Sequence, residues 1–272
     1  MSIALAGLFI HPVKSAAGIA CERARLAPYG LEHDREWMIV DPAGRFVTQR
    51  EEARLALLAT AIGNGLLQLS NPQGSAPALP LEHDGEPREV RVWNSTCTAF
   101  DAGDAMAQFL SDWLARPLRL VRFDRRHARL SNHEWTAGRD VSTLFSDGYP
   151  LLVLSQGSLA DLSARVGTTL PPQRFRPNLL LGGLDPYGED AIDAIEVAGA
   201  RIHLTKACTR CVITTIDHES GERTGDEPLR TLKSYRFDRE LRGVIFGRNA
   251  YMVRGEGVEL RVGMPVSPAP PL

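Results

Sequence analysis

Cys208-Thr209-Arg210-Cys211 runs directly into Val212-Ile213-Thr214-Thr215-Ile216-Asp217. Two thiols at this spacing suit dithiol–disulfide exchange, zinc binding, or the role of small apolar fillers at a strand edge. An exchanging pair lowers its thiol pKa by opening a helix, whose N-terminal dipole favours the thiolate. The β-branched residues that follow instead predict a strand over 211–217. A closed zinc site needs four ligands. The other two cysteines, Cys21 and Cys97, are remote in sequence, which leaves His203 or His218 to complete such a set.

The elements that must position this segment are read from hydrophobic periodicity. Runs at 4–10, 36–40, 46–49, 55–61, 66–70 and 90–93 alternate as strands, with a turn at 41–44 and a long polar loop over 71–87. Residues 104–115 predict a helix with Met106, Phe109, Leu110, Trp113 and Leu114 on one face. That helix closes the first domain, a strand follows at 118–123, and the Arg-, His- and Asn-rich segment 125–140 reads as irregular surface near the boundary. Strands then follow at 151–154, 178–181, 194–197, 201–205, 243–253 and 258–262, with a helix at 158–166, a short helix opening at Glu227-Pro228, and a frayed proline-rich tail over 265–272. The class is mainly β (α+β), largely antiparallel with few helices.

Composition sets outer limits. The 272 residues are 43% hydrophobic and 24% charged with net charge -2, so nothing in the global charge draws the chain to nucleic acid. Four irregularly spaced cysteines argue for a reducing compartment. The apolar run at 3–10 is too short to span a bilayer and lacks a basic lead, so no membrane association and a cytoplasmic location are expected.

The order Cys208-Thr209-Arg210-Cys211, Thr214-Thr215-Ile216-Asp217, Ser220-Gly221, Glu227-Pro228-Leu229 and Leu232-Lys233-Ser234-Tyr235-Arg236 resembles the core of the MOSC family, named for the molybdenum cofactor sulfurase C-terminal domain. Arg174-Phe175-Arg176-Pro177-Asn178 is similar to that family's F-R-P-N element. His11-Pro12-Val13-Lys14-Ser15 and the segment from Asp34 to Val40 resemble its N-terminal β-barrel partner domain. The likeness implies an N-terminal β-barrel domain over 1–122 and a MOSC β-barrel domain over 123–272, of the amidoxime-reducing type.

In that group the second cysteine of the pair ligates molybdenum, which carries to Cys211. The cofactor implied is a molybdopterin bearing a phosphate, and the activity is two-electron reduction of N-hydroxylated compounds such as amidoximes and N-hydroxylated bases. A thiolate suits such a metal, and Lys206 and Arg210 beside the pair favour that form. Arginine grips phosphate with a two-donor fork, and Arg174 and Arg176 fall on one side of an expected extended strand, with Asn178 a further two residues on. The resemblance assigns cofactor contacts to Lys14, Ser15, Arg35, Asp147, Arg176, Asn178, Arg210, Cys211 and Asn249, the last standing where mitochondrial members carry tyrosine. Tyr235 and Arg236 are secondary candidates, and Arg50 reads as an exposed strand end. No four-cysteine cluster and no G-x-G-x-x-G dinucleotide turn is present, so electrons are expected from a separate ferredoxin, cytochrome or flavin reductase. The rival reading is a sulfur carrier or cofactor-binding module with a persulfide on one of the two thiols.

Overall fold

Leu5, Leu8 and Ile10 of the first strand, Ala4–Ile10, are buried in a core shared with residues from the far end of the chain. The strand pairs antiparallel with Leu179–Gly182, so the chain's first element belongs to a sheet otherwise built mainly by its second half. The computed structural model describes residues 2–272. That nine-stranded sheet runs Ile19–Cys21, Ala4–Ile10, Leu179–Gly182, Leu151–Ser155, Gly243–Arg254, Ala200–Thr209, Ala194–Val197 and Ser267–Ala269, with Phe237–Asp238 paired to Gly243–Arg254. Leu151–Ser155 and Leu179–Gly182 lie parallel, and helix Gln156–Val166 begins the crossover between them.

The first half forms smaller antiparallel sheets. Pro87–Val92, Ser95–Asp101, Arg119–Phe123 and Trp37–Val40 pair in that order, and Ala59–Gly63 with Leu66–Asn71 forms another sheet. Helix Asp104–Leu114 packs Met106, Leu110, Trp113 and Leu114 against Trp37, Leu55 and Leu67. Between the two systems the backbone turns at His11-Pro12-Val13: Val13 bridges Trp37, and the Lys14 amide donates to the Trp37 carbonyl at 2.8 Å. This crossing places Lys14 and Ser15 at the seam. Among the described residues no helix is long and apolar enough to cross a membrane.

Several expected elements differ. Residues 46–49 make only an isolated bridge, from Phe46 to Val40. Ala53–Leu57 is a 3₁₀ helix, and the strand expected from 55 begins at Ala59. The loop at 71–87 contains the short strands Gly74–Ser75 and Leu79–Pro80, and the tail forms Ser267–Ala269, paired to Ala194–Val197. Two differences bear on chemistry. Pro172–Phe175 is a 3₁₀ helix, begun by Pro172 in its first turn, so Arg174 and Arg176 are not alternate residues of a strand. Val212–Thr215 is also a 3₁₀ helix: the Thr214 and Thr215 hydroxyls donate to the carbonyls of Cys211 and Val212, three residues back, at 3.0 and 2.8 Å. Those bonds let β-branched residues turn where propensity predicts extension.

Candidate functional site

One cleft at the seam is lined by all nine residues that the resemblance assigns to a cofactor. Lys14, Ser15 and Arg35 reach it from the first half; Asp147, Arg176, Asn178, Arg210, Cys211 and Asn249 come from the second. Cys208, Arg50 and Arg174 also line it, whereas Tyr235 and Arg236 do not. Tyr235 instead bonds Tyr187 through their hydroxyls at 2.6 Å, and Arg236 pairs with Asp190 at 2.5 Å, in a packing cluster outside the cleft. Arg50, which the sequence reads as an exposed strand end, is brought to the cleft instead, because a single arginine in that position carries no sign of where the chain folds it.

The thiols hold different positions. Cys208 lies within Ala200–Thr209, while Cys211, beyond its end, has an extended backbone and caps the following 3₁₀ helix. Burial raises the Cys208 pKa more than Arg210 lowers it. The Lys206 ammonium rests 5.1 Å from the centre of the Trp135 ring. At Cys208, then, the neighbouring arginine does not offset burial. Among the described residues no group of three His, Cys, Asp or Glu side chains is placed to hold a metal, so the zinc reading has no ligand set.

The guanidinium groups are held by backbone carbonyls. Arg210 donates from Nε to the Phe246 carbonyl at 2.8 Å and from Nη1 to that of Phe175 at 3.0 Å, leaving Nη2 buried without a partner. Arg176, at φ 56, spends Nη1 on the Ala16 carbonyl of the other half and also leaves Nη2 buried and unpartnered. Burial, then the neighbouring Arg35, lowers the Arg176 pKa to about 9. Arg35 is braced by Asp34 at 2.5 Å, by Asn178 Oδ1 at 3.0 Å and by the Arg176 carbonyl at 2.9 Å. Asn178 is 1% exposed, and its amide also engages the Phe9 carbonyl and the Leu152 amide. Its side chain thus fixes Arg35 and joins strands of the two halves.

At the mouth, Lys14 Nζ donates to the Phe145 carbonyl at 2.8 Å and to Asp147 Oδ1 at 2.5 Å. Burial lowers the Lys14 pKa, and Asp147 opposes that shift. The Asp147 side chain is 59% exposed, and Lys14, then Arg50 and the Trp93 indole, hold its carboxyl below the usual carboxylate range. Asn249 Nδ2 donates to the Lys206 carbonyl at 3.1 Å.

A buried donor left unpaired costs on the order of 1–3 kcal/mol, more for a charged group. Three such guanidinium nitrogens, Arg174 Nε with Arg176 Nη2 and Arg210 Nη2, belong to residues that line one cleft with Cys211 and match an acceptor-rich anion that also presents a soft metal. The donor set fits the phosphate-bearing molybdenum cofactor. Residues 2–117 match the MOSC N-terminal beta barrel domain, and residues 140–267 match the MOSC domain. Mitochondrial amidoxime-reducing component 1 of Homo sapiens is 33% identical over 283 residues, covering 96% of this chain and 82% of that protein. Mitochondrial amidoxime reducing component 2 of Homo sapiens is 31% identical, with 96% and 82% covered, and component 1 of Danio rerio is 30% identical, with 95% and 82% covered. Domain matches along both halves, and relatives above 30% identity over nearly the full length, place this chain in the MOSC family, in the form that carries the N-terminal β-barrel domain.

Proposed function

We propose that the protein is a molybdenum-cofactor-dependent reductase of N-hydroxylated compounds, amidoximes and N-hydroxylated bases among them, supplied with electrons by a separate protein. The observation that carries this reading is the pair of unpartnered guanidinium nitrogens, Arg176 Nη2 and Arg210 Nη2, in the cleft that Cys211 lines. Bound there, the cofactor supplies the two-electron couple that N–O reduction requires. Cys211 offers it one soft ligand. Arg176 and Arg210 donate to its anionic part, Lys14 and Ser15 close on it from the first half, and Arg35 is kept in place by Asn178. Asp147 stays ionised at neutral pH because Lys14 faces it, so it accepts hydrogen bonds at the mouth and does not serve as a proton source.

The test uses protein from a host that makes the cofactor, with reduced viologen as donor and metal and pterin content measured alongside turnover. Cys211→Ala is expected to abolish reduction of an amidoxime while the fold survives, and Cys208→Ala to be much milder. Arg176→Ala should weaken cofactor retention by roughly one to two decades, the value of a charge-assisted contact of about 1.5–3 kcal/mol. NADH alone should support no turnover. Wild-type metal content and activity in Cys211→Ala would remove the ligand assignment, and metal-free protein carrying a persulfide would favour the sulfur carrier.

A further inference from the structure

Strands Pro87–Val92 and Ser95–Asp101 are joined by Trp93 and Asn94 alone. Trp93 has φ 53, and Asn94 does not share the left-handed conformation. Positive φ at the first residue only is the position that a tight hairpin turn reserves for glycine, because a side chain there crowds its own backbone. A bulky aromatic in that slot is an outlier whose cause lies outside the turn. Burial is not the cause, since Trp93 is 40% exposed.

What the indole does is span the seam. Its Nε1 donates to Asp147 Oδ1 at 3.1 Å, Arg50 lies 4.8 Å from the ring centre, and Phe46 packs tilted against it at 5.0 Å. Arg50 and Asp147 both line the cleft; Trp93 itself lies just outside that lining, so a hairpin tip of the first half sets an aromatic plane beside two of the lining residues. Asp147 and Arg50 orient the plane, and the ring surface that they and Phe46 leave uncovered faces solvent.

We infer that Trp93 forms the outer wall of the cleft mouth and sets a preference for flat, π-rich substrates over saturated ones of the same size, a role that rests on the reductase reading above. A planar ring conjugated to an amidoxime stacks offset or edge-on against the uncovered part of the indole. A puckered saturated ring makes neither stacking arrangement. The inference concerns selection at the mouth, and of the groups assigned to cofactor contact it involves Asp147 alone.

The experiment compares wild type, Trp93→Phe and Trp93→Ala on benzamidoxime and cyclohexanecarboxamidoxime, which share ring size and reacting group but differ in the flatness and π character of the ring. Trp93→Ala should raise KM for benzamidoxime about tenfold, near the upper end of what an aromatic pair contributes, with kcat within about twofold and the saturated substrate nearly unaffected. Trp93→Phe should stay near wild type on both, and molybdenum and pterin content should not change. Equal losses on the two substrates would overturn the inference, as would a Phe variant that fails like the Ala variant with a lowered Tm, which marks the indole as a structural strap. Calorimetric binding of benzamidine and cyclohexanecarboxamidine reads the wall without turnover. If wild type reduces neither amidoxime, the reductase reading falls, while a preference for benzamidine that Trp93→Ala abolishes still supports the wall. Equal or absent binding of the two amidines overturns it.

Discussion

His11 is fully buried, with Nε2 3.1 Å from the Pro177 carbonyl, which follows Arg176. Burial first, then Arg35 and Arg176, hold its pKa well below the ordinary value, so the ring is neutral and Nε2 carries the proton that bond needs. Gly18 makes room for it: a Cβ at that position would stand 2.4 Å from His11 Nδ1. His11→Gln, whose amide can reach as Nε2 does, should keep most of the stability and cofactor content, whereas His11→Leu should lose about 1–3 kcal/mol by leaving the carbonyl unpaired. Denaturant melts and metal content read the two apart. This brace was hidden in the sequence because its partner lies 166 residues away. The residues singled out by motif, from Lys14 to Asn249, do line one cleft. Tyr235 and Arg236 do not, since position within a motif says nothing about the direction in which a side chain leaves the backbone.

Gly247 lies within the long strand Gly243–Arg254 at φ 77, and a Cβ there would come within 2.7 Å of the Val153 carbonyl. Its bare backbone lets two strands close beside Phe246, whose carbonyl holds Arg210. Gly247→Ala should therefore cost about 1–3 kcal/mol and lower Tm by several degrees. It should also reduce retention of the proposed cofactor, as metal analysis of the purified variant would show. At this scale the class was legible, since periodicity recovers the principal strands and two of the helices. It failed where side chains override propensity. Val212–Thr215 reads as strand until the threonine hydroxyls find carbonyls in their own turn. The proline-rich tail reads as frayed, yet Ser267–Ala269 is an edge strand, the one place in a sheet where a missing N–H is tolerated.

Across the whole molecule, two imidazoles near the seam are kept neutral. Burial, then Arg176 and Arg174, lower the His218 pKa to about 4, against the opposing pull of Asp217, and His11 is lowered as well. In the unfolded chain both take up protons near pH 6.5. Between pH 6.5 and 4 the unfolded state thus binds more protons, so stability present at neutral pH falls as pH drops through that window. Tm measured from pH 7 to 4.5 should decline, and His218→Gln should flatten the slope. Long-range organisation is where the sequence was least readable: motif order suggests two consecutive units, and nothing local shows that Ala4–Ile10 pairs with Leu179–Gly182. A fragment spanning 123–272 should accordingly expose the unpaired edge of Leu179–Gly182 and aggregate, which light scattering would detect, while adding a peptide of residues 2–27 should restore solubility. The same pairing sets a clock on synthesis. Ala4–Ile10 must wait until residue 182 has emerged for its partner, and the cleft lacks a wall until Asn249 follows, so loading of the proposed cofactor comes only after synthesis has passed all of these residues.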